Sequence, residues 1–79
     1  MRLDKFLKVS RLVKRRTVAK ELCDAGRVTV NGRVAKAGHE VAPEDVLEIG
    51  YGSRAVRVRV LELRENASTE QARSMYQAL

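Results

Sequence analysis

The chain has 79 residues, enough for one domain and too few for two. It carries 16 basic and 10 acidic residues, a formal net charge of +6, interleaved with 44% apolar residues, which argues against a wholly disordered chain. A single cysteine, Cys23, excludes an intramolecular disulfide and favours a reducing compartment. With no secretion signal and no run near the ~20 apolar residues of a membrane span, the chain is predicted to be cytoplasmic, with no membrane partner.

The positive charge is concentrated in the first half of the chain. The segment from Arg2 to Lys36 holds eleven basic and three acidic residues, a local net charge of +8, and the other residues sum to −2. The protein is therefore basic at one end rather than throughout. Positive charge concentrated on a small folded unit predicts nucleic-acid binding.

Two short helices are predicted in this basic segment. The first has one apolar face, made by Leu3, Phe6, Leu7 and Ser10, with Asp4 in its first turn. The second runs from about Arg16 to Ala25 and ends before Gly26, a typical helix-terminating residue. Its buried face is predicted to be lined by Val18, Leu22 and Ala25, with Ala19 and Cys23 beside them.

Strands are predicted after the second helix. Arg27 to Val30 alternates as a strand does, Asn31-Gly32 favours a type I′ turn, and Arg33 to Ala37 is the returning strand. Pro43 lies at the second position of a turn. Further strands are predicted over Val46 to Ile49 and over Ala55 to Leu63.

The end of the chain is predicted to be a helix. Ser68 and Gln71 have the spacing of a capping box. An apolar stripe at helical spacing follows, made by Ala72, Met75, Tyr76 and Leu79. Such a stripe is typical of a helix packed on its own sheet, although a partner site has the same pattern.

Nothing in the sequence indicates catalysis. His39, the only histidine, has no metal-ligand pattern around it, and Cys23 lies on the inner side of a helix, where a structural thiol is expected. No phosphate-binding glycine loop and no nucleophile motif is present. We therefore predict a protein that is not an enzyme and has no cofactor and no metal.

The basic triplet Lys14-Arg15-Arg16 lies where the second helix begins. Consecutive helical residues point about 100° apart, so one solvated face does not explain the triplet. A helix N-terminus disfavours cations, and a bound polyanion would offset that cost. The basic residues of neighbouring elements that could converge on the same anion are Arg2, Lys5, Arg11, Lys20, Arg27, Arg33 and Lys36.

The residue types favour structured RNA as this anion. Single-strand readers need aromatic stacking platforms, and Phe6, the aromatic residue of the basic half, is predicted to be in the core. A helix-turn-helix DNA reader is the alternative, but its second helix would present Glu21 and Asp24 to phosphates. Contacts to phosphate and sugar, which read shape, fit better.

Three short motifs resemble the S-four RNA-binding domain, also called the alpha-L motif, over residues 1 to 64. They are Arg2-Leu3-Asp4-Lys5-Phe6-Leu7, Arg16-Thr17-Val18-Ala19-Lys20 and Gly26-Arg27-Val28-Thr29-Val30-Asn31-Gly32. The resemblance implies an α+β fold, with short N-terminal helices packed on a small, mostly antiparallel sheet, here followed by a C-terminal helical extension over residues 65 to 79. Two departures are Arg15, where the family usually has Ser, and Glu44, where it usually has a turn glycine.

The resemblance also implies an RNA surface formed by the two helices and the start of the hairpin. The RNA-binding residues that it implies here are Arg2, Lys5, Arg11, Lys14, Arg15, Arg16, Lys20, Arg33 and Lys36. The Lys-Arg-Arg-Thr-x-Ala-Lys-Glu stretch is similar to a bacterial subgroup that acts in ribosome-associated quality control and is related to a ribosome-binding heat-shock protein.

Members of this subgroup bind obstructed large ribosomal subunits, where they contact ribosomal RNA and peptidyl-tRNA and support alanine tailing of stalled chains by the partner protein RqcH. The resemblance implies these partners for this chain, and we predict that the chain is a monomer. Two alternatives stay open at this point. One is a general ribosome-binding heat-shock or ribosome-assembly protein, and the other is the RNA-targeting fragment of an RNA-modifying enzyme.

Overall fold

The computed structural model describes all 79 residues. Two helices, α1 (Leu3–Val9) and α2 (Arg16–Asp24), pack against each other and against a sheet. The predicted apolar face of α1 is confirmed, since Leu3, Phe6 and Leu7 are fully buried. None of the protein's helices is long and apolar enough to cross a membrane.

The sheet has five antiparallel strands in the order β2-β1-β3-β4-β5. The strands are β1 (Val28–Val30), β2 (Arg33–Val34), β3 (Val46–Tyr51), β4 (Arg54–Val60) and β5 (Tyr76–Ala78), with helix α3 (Thr69–Arg73) before β5. Inward-facing residues of the central strands, such as Leu47, Ile49 and Val58, complete the core beneath the helices. The predicted α+β fold is confirmed.

The β1–β2 hairpin has the predicted Asn-Gly turn. Asn31 and Gly32 have φ values of 52° and 84°, as a type I′ turn requires. The Asn31 side chain also ties the hairpin to β3, because its Oδ1 accepts from the Val46 amide at 2.9 Å. The returning strand ends at Val34 rather than at Ala37, because the Ala37 carbonyl accepts from the Asp4 amide instead of continuing the ladder.

Helix α2 presents a different face to the core than the sequence predicts. The buried residues are Ala19 and Cys23, whereas Val18 is 38% exposed and Ala25 is also exposed. The small side chains of Ala19 and Cys23 allow α2 to lie close to α1, so the helix is rotated by about one residue, roughly 100°, from the predicted orientation. The prediction for Val18 and Ala25 was wrong, and Val18 is left on the surface.

The turn before β3 forms without the glycine usual in the family. Pro43 is its second residue, as predicted, and Glu44 takes the left-handed conformation at φ 78°. The Asp45 amide donates to the Ala42 carbonyl at 3.1 Å, and the Asp45 carboxylate accepts from the Ala42 amide at 2.9 Å. These two hydrogen bonds hold Glu44 in a conformation that a residue with a side chain rarely adopts.

The C-terminal helix is shorter than predicted. The capping box is confirmed, since Ser68 Oγ accepts from the Gln71 amide and Gln71 Oε1 accepts from the Ser68 amide. However, α3 ends at Arg73, and the prediction that Tyr76 continues the helix was wrong. Tyr76 begins β5 and pairs with Val60, because the free edge of β4 offers hydrogen bonds that a one-turn helix cannot match.

Strand β4 is also shorter than predicted, and it ends at Val60 rather than at Leu63. Leu61 donates its amide to the carbonyl of Met75 at 2.8 Å, so the chain leaves the β3–β4 ladder at this point. Met75 itself is fully buried. The predicted apolar stripe therefore contributes Met75 to the core, while Leu79 is 54% exposed.

Candidate nucleic-acid interface

Two arginines from separate elements meet at one buried carboxylate, that of Asp4. Arg2 Nε lies 3.2 Å from Oδ1 of Asp4, and Arg16 Nε lies 3.4 Å from Oδ2. Asp4 is only 3% exposed, whereas the side chains of Arg2 and Arg16 are about half exposed. We call these three residues the Asp4 cluster. Its carboxylate fixes one edge of each guanidinium and leaves the remainder facing solvent.

The Asp4 carboxyl is charged in the folded protein. Burial raises its pKa, but hydrogen bonds and charge from Arg16 and Arg2 outweigh burial, so the pKa lies below its ordinary value of 3.8. Two guanidinium charges and one carboxylate leave the cluster with a net positive charge. Because guanidinium groups have five donors in a fixed planar arrangement, the free edges suit the paired oxygens of a phosphate.

The backbone around Arg2 is held by the segment that follows the hairpin. The Leu3 amide donates to the His39 carbonyl at 2.8 Å, and the Val41 amide donates to the Met1 carbonyl at 2.9 Å. The N-terminal ammonium group lies 2.8 Å from Glu40 and, by hydrogen bonding, holds the pKa of that carboxyl below its usual value. Arg2 is thus anchored on both sides, although it is the second residue of the chain.

Lys5 and Arg11 are directed toward the segment between β4 and α3. Lys5 forms an ion pair with Glu65, whose pKa is lowered by this hydrogen bond, and an Arg11 guanidinium nitrogen donates to the Ala67 carbonyl at 3.2 Å. Arg11 has a left-handed backbone with φ 62° in the loop between α1 and α2. Both side chains therefore already have intramolecular partners, unlike the other predicted lysines.

Five predicted site residues have exposed side chains that form no ion pair and no hydrogen bond within the protein. They are Lys14, Arg15, Lys20, Arg33 and Lys36. Lys14 and Arg15 directly precede α2, next to the Asp4 cluster in sequence. Arg15 occupies the N-cap position of α2, but its side chain forms no capping hydrogen bond with the helix amides. These free cations are available to an anionic partner.

Arg33 does not contact Asp4, the carboxylate shared by Arg2 and Arg16. It borders a separate depression on the hairpin side that also contains His39, Glu40 and Asp45. Two of these neighbours are acidic and would repel a phosphate. The structure brings Arg2 and Arg16 into direct contact with one carboxylate, and it does not bring Arg33 to that cluster.

Sequence reasoning missed two features of this surface. The sequence predicts Asp4 only as a favourable acid in the first turn of α1. Its role as the shared partner of two arginines depends on its contact with Arg16, which lies twelve residues later in the chain. The available signal was its position beside Leu3 on the buried face. Tyr51 was also missed: its hydroxyl donates to the Leu12 carbonyl at 2.5 Å and connects the end of β3 to the α1–α2 loop.

Cys23 is a free cysteine, and it is buried in the core. Burial, with smaller contributions from Asp4 and Asp24, raises the pKa of the Cys23 thiol to about 11, so the thiol is protonated at neutral pH. No group of three histidine, cysteine or acidic side chains is placed to hold a metal ion.

Comparison with known proteins identifies a matching domain family and similar relatives. Residues 1–47 match the S4 domain family. The chain is 53% identical over 79 residues to a protein of Bacillus subtilis (strain 168) named RQC P-site tRNA stabilizing factor, covering all of this chain and 92% of that protein. A protein of the same name from Halalkalibacterium halodurans is 54% identical over 77 residues, covering 98% of this chain and 88% of that protein.

The fold also matches a solved structure. The trimeric structure of Vibrio cholerae heat shock protein 15 superposes with a TM-score of 0.92 at 24% identity, covering all of this chain and 81% of that one. At this identity the likeness concerns the fold alone. The domain match and the two relatives show that the chain belongs to the S4 domain family, in the group that includes the RQC P-site tRNA stabilizing factors.

Proposed function

We propose that the protein is a non-enzymatic RNA-binding factor of ribosome-associated quality control that stabilises P-site tRNA on obstructed large ribosomal subunits. The observation that carries this proposal is the Asp4 cluster, because it gives two arginines fixed orientations with free edges toward solvent. The name of the Bacillus subtilis relative supports tRNA as one ligand. The local charge of +8 between Arg2 and Lys36 supports a polyanion.

The proposal assigns the phosphate contacts to the predicted site residues. The orientation of Arg2 and Arg16 is set by Asp4, and that of Lys5 and Arg11 by their contacts with the segment after β4. Lys14, Arg15 and Lys20 add charges that are free to follow a phosphate backbone. Arg33 lies on the hairpin and Lys36 just after it, and the proposal assigns both to the margin of the RNA-binding surface. Contacts of this kind position RNA without reading bases.

In the cell, the proposal places the protein in the cytoplasm, as a monomer on the large subunit, where it contacts ribosomal RNA together with peptidyl-tRNA. By holding the tRNA in place, it would support the addition of alanine tails by RqcH. We also propose that residues 1–64 are the RNA-binding unit and that residues 65–79 are an extension. The contacts of Lys5 and Arg11 support a role for this extension in orienting the basic surface.

Co-sedimentation with isolated large subunits that carry peptidyl-tRNA tests the proposal. Arg16→Ala should lower the affinity about tenfold or more, because it removes a charge-assisted contact worth about 1.5–3 kcal/mol. Arg73→Ala is the matched control, since Arg73 is exposed at the end of α3, forms no ion pair, and carries the same charge.

The two variants are compared at equal salt, after thermal unfolding has shown that both are folded. The control should bind as the unmodified protein does. If Arg16→Ala binds as tightly as Arg73→Ala, the role of the Asp4 cluster is wrong. If the unmodified protein binds empty subunits, and peptidyl-tRNA adds nothing, the proposed contact with tRNA is wrong.

A further inference from the structure

An apolar groove borders the free cations before α2. Its volume is about 590 Å³, and it is lined by Leu12, Val13, Lys14, Arg15, Val18 and Tyr51. Four of these six residues are hydrophobic, and the other two are basic. The groove size lies within the usual range for sites that bind small molecules, about 300–1,000 Å³.

The groove lies beside α2 because this helix turns Ala19 and Cys23, rather than Val18, toward the core. Ala19 and Cys23 are fully buried in the same core cluster as the apolar residues of α1, whereas Val18 remains 38% exposed. Tyr51, which also lines the groove, is half-buried and donates its hydroxyl proton to the Leu12 carbonyl. Burial raises the pKa of Tyr51, which keeps the hydroxyl protonated as a donor.

We infer that the groove binds the base of one unpaired nucleotide of the RNA, while Lys14 and Arg15 bind its phosphate. A nucleotide combines a flat, largely apolar base with an anionic phosphate, and the groove combines apolar walls with two cations that have no intramolecular partner. This inference rests on the proposed function and deepens it, because it adds a base contact to a surface otherwise suited to phosphates.

The position of the groove favours RNA over a protein partner. Arg15, which lines the groove, directly precedes Arg16 of the Asp4 cluster in the chain, where the proposed phosphate contacts begin. An RNA strand already held at Arg16 would bring neighbouring nucleotides to Lys14 and Arg15. Burial of a base against apolar or aromatic side chains stabilises RNA complexes most when the base is already unstacked, since no pairing must be broken.

The test compares two RNA hairpins that differ by one nucleotide. One has a fully paired stem, and the other carries a single unpaired 2-aminopurine in the same stem, whose fluorescence reports a change in stacking. The unmodified protein should bind the bulged hairpin about tenfold more tightly, as expected for one buried base. Its binding should also change the 2-aminopurine fluorescence.

Val18→Gln places a neutral polar side chain in the groove and leaves the charge unchanged. This variant should bind the paired hairpin as the unmodified protein does and lose the preference for the bulge. Val56→Gln is the matched control, because Val56 is also a surface valine, 37% exposed, but does not line the groove. This control should keep the preference. If thermal unfolding shows that Val18→Gln is unfolded, Val18→Thr replaces it, with a smaller loss of the preference expected.

Three results separate this inference from the proposed function. Equal affinity of the unmodified protein for both hairpins overturns the inference, leaves phosphate binding intact, and points to an acidic peptide segment as the occupant. A preference for the bulge that survives in the Val18 variant also overturns it. If neither hairpin binds at physiological salt, the proposed RNA-binding function fails, and the inference fails with it.

Discussion

Replacement of Asp4 by asparagine is the most informative single change in the basic surface. Asp4→Asn keeps the shape of the side chain and removes its charge. In the unmodified protein, the Asp4 carboxylate accepts hydrogen bonds from Arg2 and Arg16 through four nitrogen–oxygen contacts of 3.2 to 3.5 Å. In the variant, the two guanidinium groups would face each other without a counter-charge, and an amide NH₂ would oppose one of them.

The expected loss of stability is moderate. Breaking a fully buried ion pair costs about 3–5 kcal/mol. Here the two arginine side chains are about half exposed, and the contacts are at the long end of the hydrogen-bond range, so water screens much of the interaction. We therefore expect Asp4→Asn to lower the free energy of unfolding by about 1–2 kcal/mol at neutral pH.

The pH dependence provides an independent signature. Because the pKa of Asp4 is lowered on folding, its contribution is present above the unfolded pKa, near 3.8, and is lost as the pH falls through the folded value. Asp4→Asn should therefore reduce the acid sensitivity of stability below about pH 4. Some sensitivity should persist, because hydrogen bonds to exposed Glu40, Glu62 and Glu65 also lower their pKa values.

Urea unfolding followed by circular dichroism, at pH 7 and in steps from about pH 5 to pH 2.5, measures both effects. Asp24→Asn is the control, because it makes the same change of charge at an exposed position on α2. If the two variants lose equal stability and show the same acid profile, the Asp4 carboxylate does not stabilise the fold through Arg2 and Arg16.

Three further changes test the local geometry. Glu44→Gly should stabilise the protein by about 0.5–1 kcal/mol, because Glu44 has a φ of 78°, and lower stability in urea would contradict this reasoning. Tyr51→Phe should destabilise it by about 1 kcal/mol through loss of the hydrogen bond to Leu12, and an unchanged unfolding midpoint would argue against that bond. Cys23 should resist an aromatic disulfide reagent at pH 8 until urea unfolds the protein, because its pKa is about 11; rapid reaction of the folded protein would show that the thiol is accessible.

The sequence predicts correctly the elements that depend on neighbours in the chain. The spacing of Leu3, Phe6 and Leu7 defines the buried face of α1, since these residues share one side of a helix. The Asn31-Gly32 pair defines the hairpin turn because few other residues tolerate two consecutive positive φ values. The capping box at Ser68 is equally local, and its helix begins where predicted.

The errors come from contacts between distant parts of the chain. Tyr76 and Leu79 have helical spacing relative to Ala72. However, residues 76–78 pair with the open edge of β4, which lies about 18 residues earlier in the chain for the pair Arg59 and Gln77. Val18 has the spacing of a core residue, yet the small side chain of Ala19 gives the closer approach to α1. Spacing alone does not show which partner an apolar face will have.

In the candidate site, too, the sequence predicts the individual residues but not the contacts between distant parts of the chain. Its residues were predicted individually from charge and from resemblance to a family, because basic side chains on a helix are visible in sequence. The sharing of Asp4 by Arg2 and Arg16 was not predicted, because it requires the actual packing of α1 on α2. The groove beside Val18 was missed for the same reason as the rotation of α2.

The salt dependence of binding to large subunits that carry peptidyl-tRNA tests the central claim most directly, namely that this surface binds RNA through its phosphates. If ~6 phosphates are neutralised, the logarithm of the affinity should fall with the logarithm of salt concentration with a slope of about −4 to −5. Arg16→Ala should make this slope shallower by about 0.7 to 0.9. A slope near zero, or one that Arg16→Ala leaves unchanged, would contradict the account.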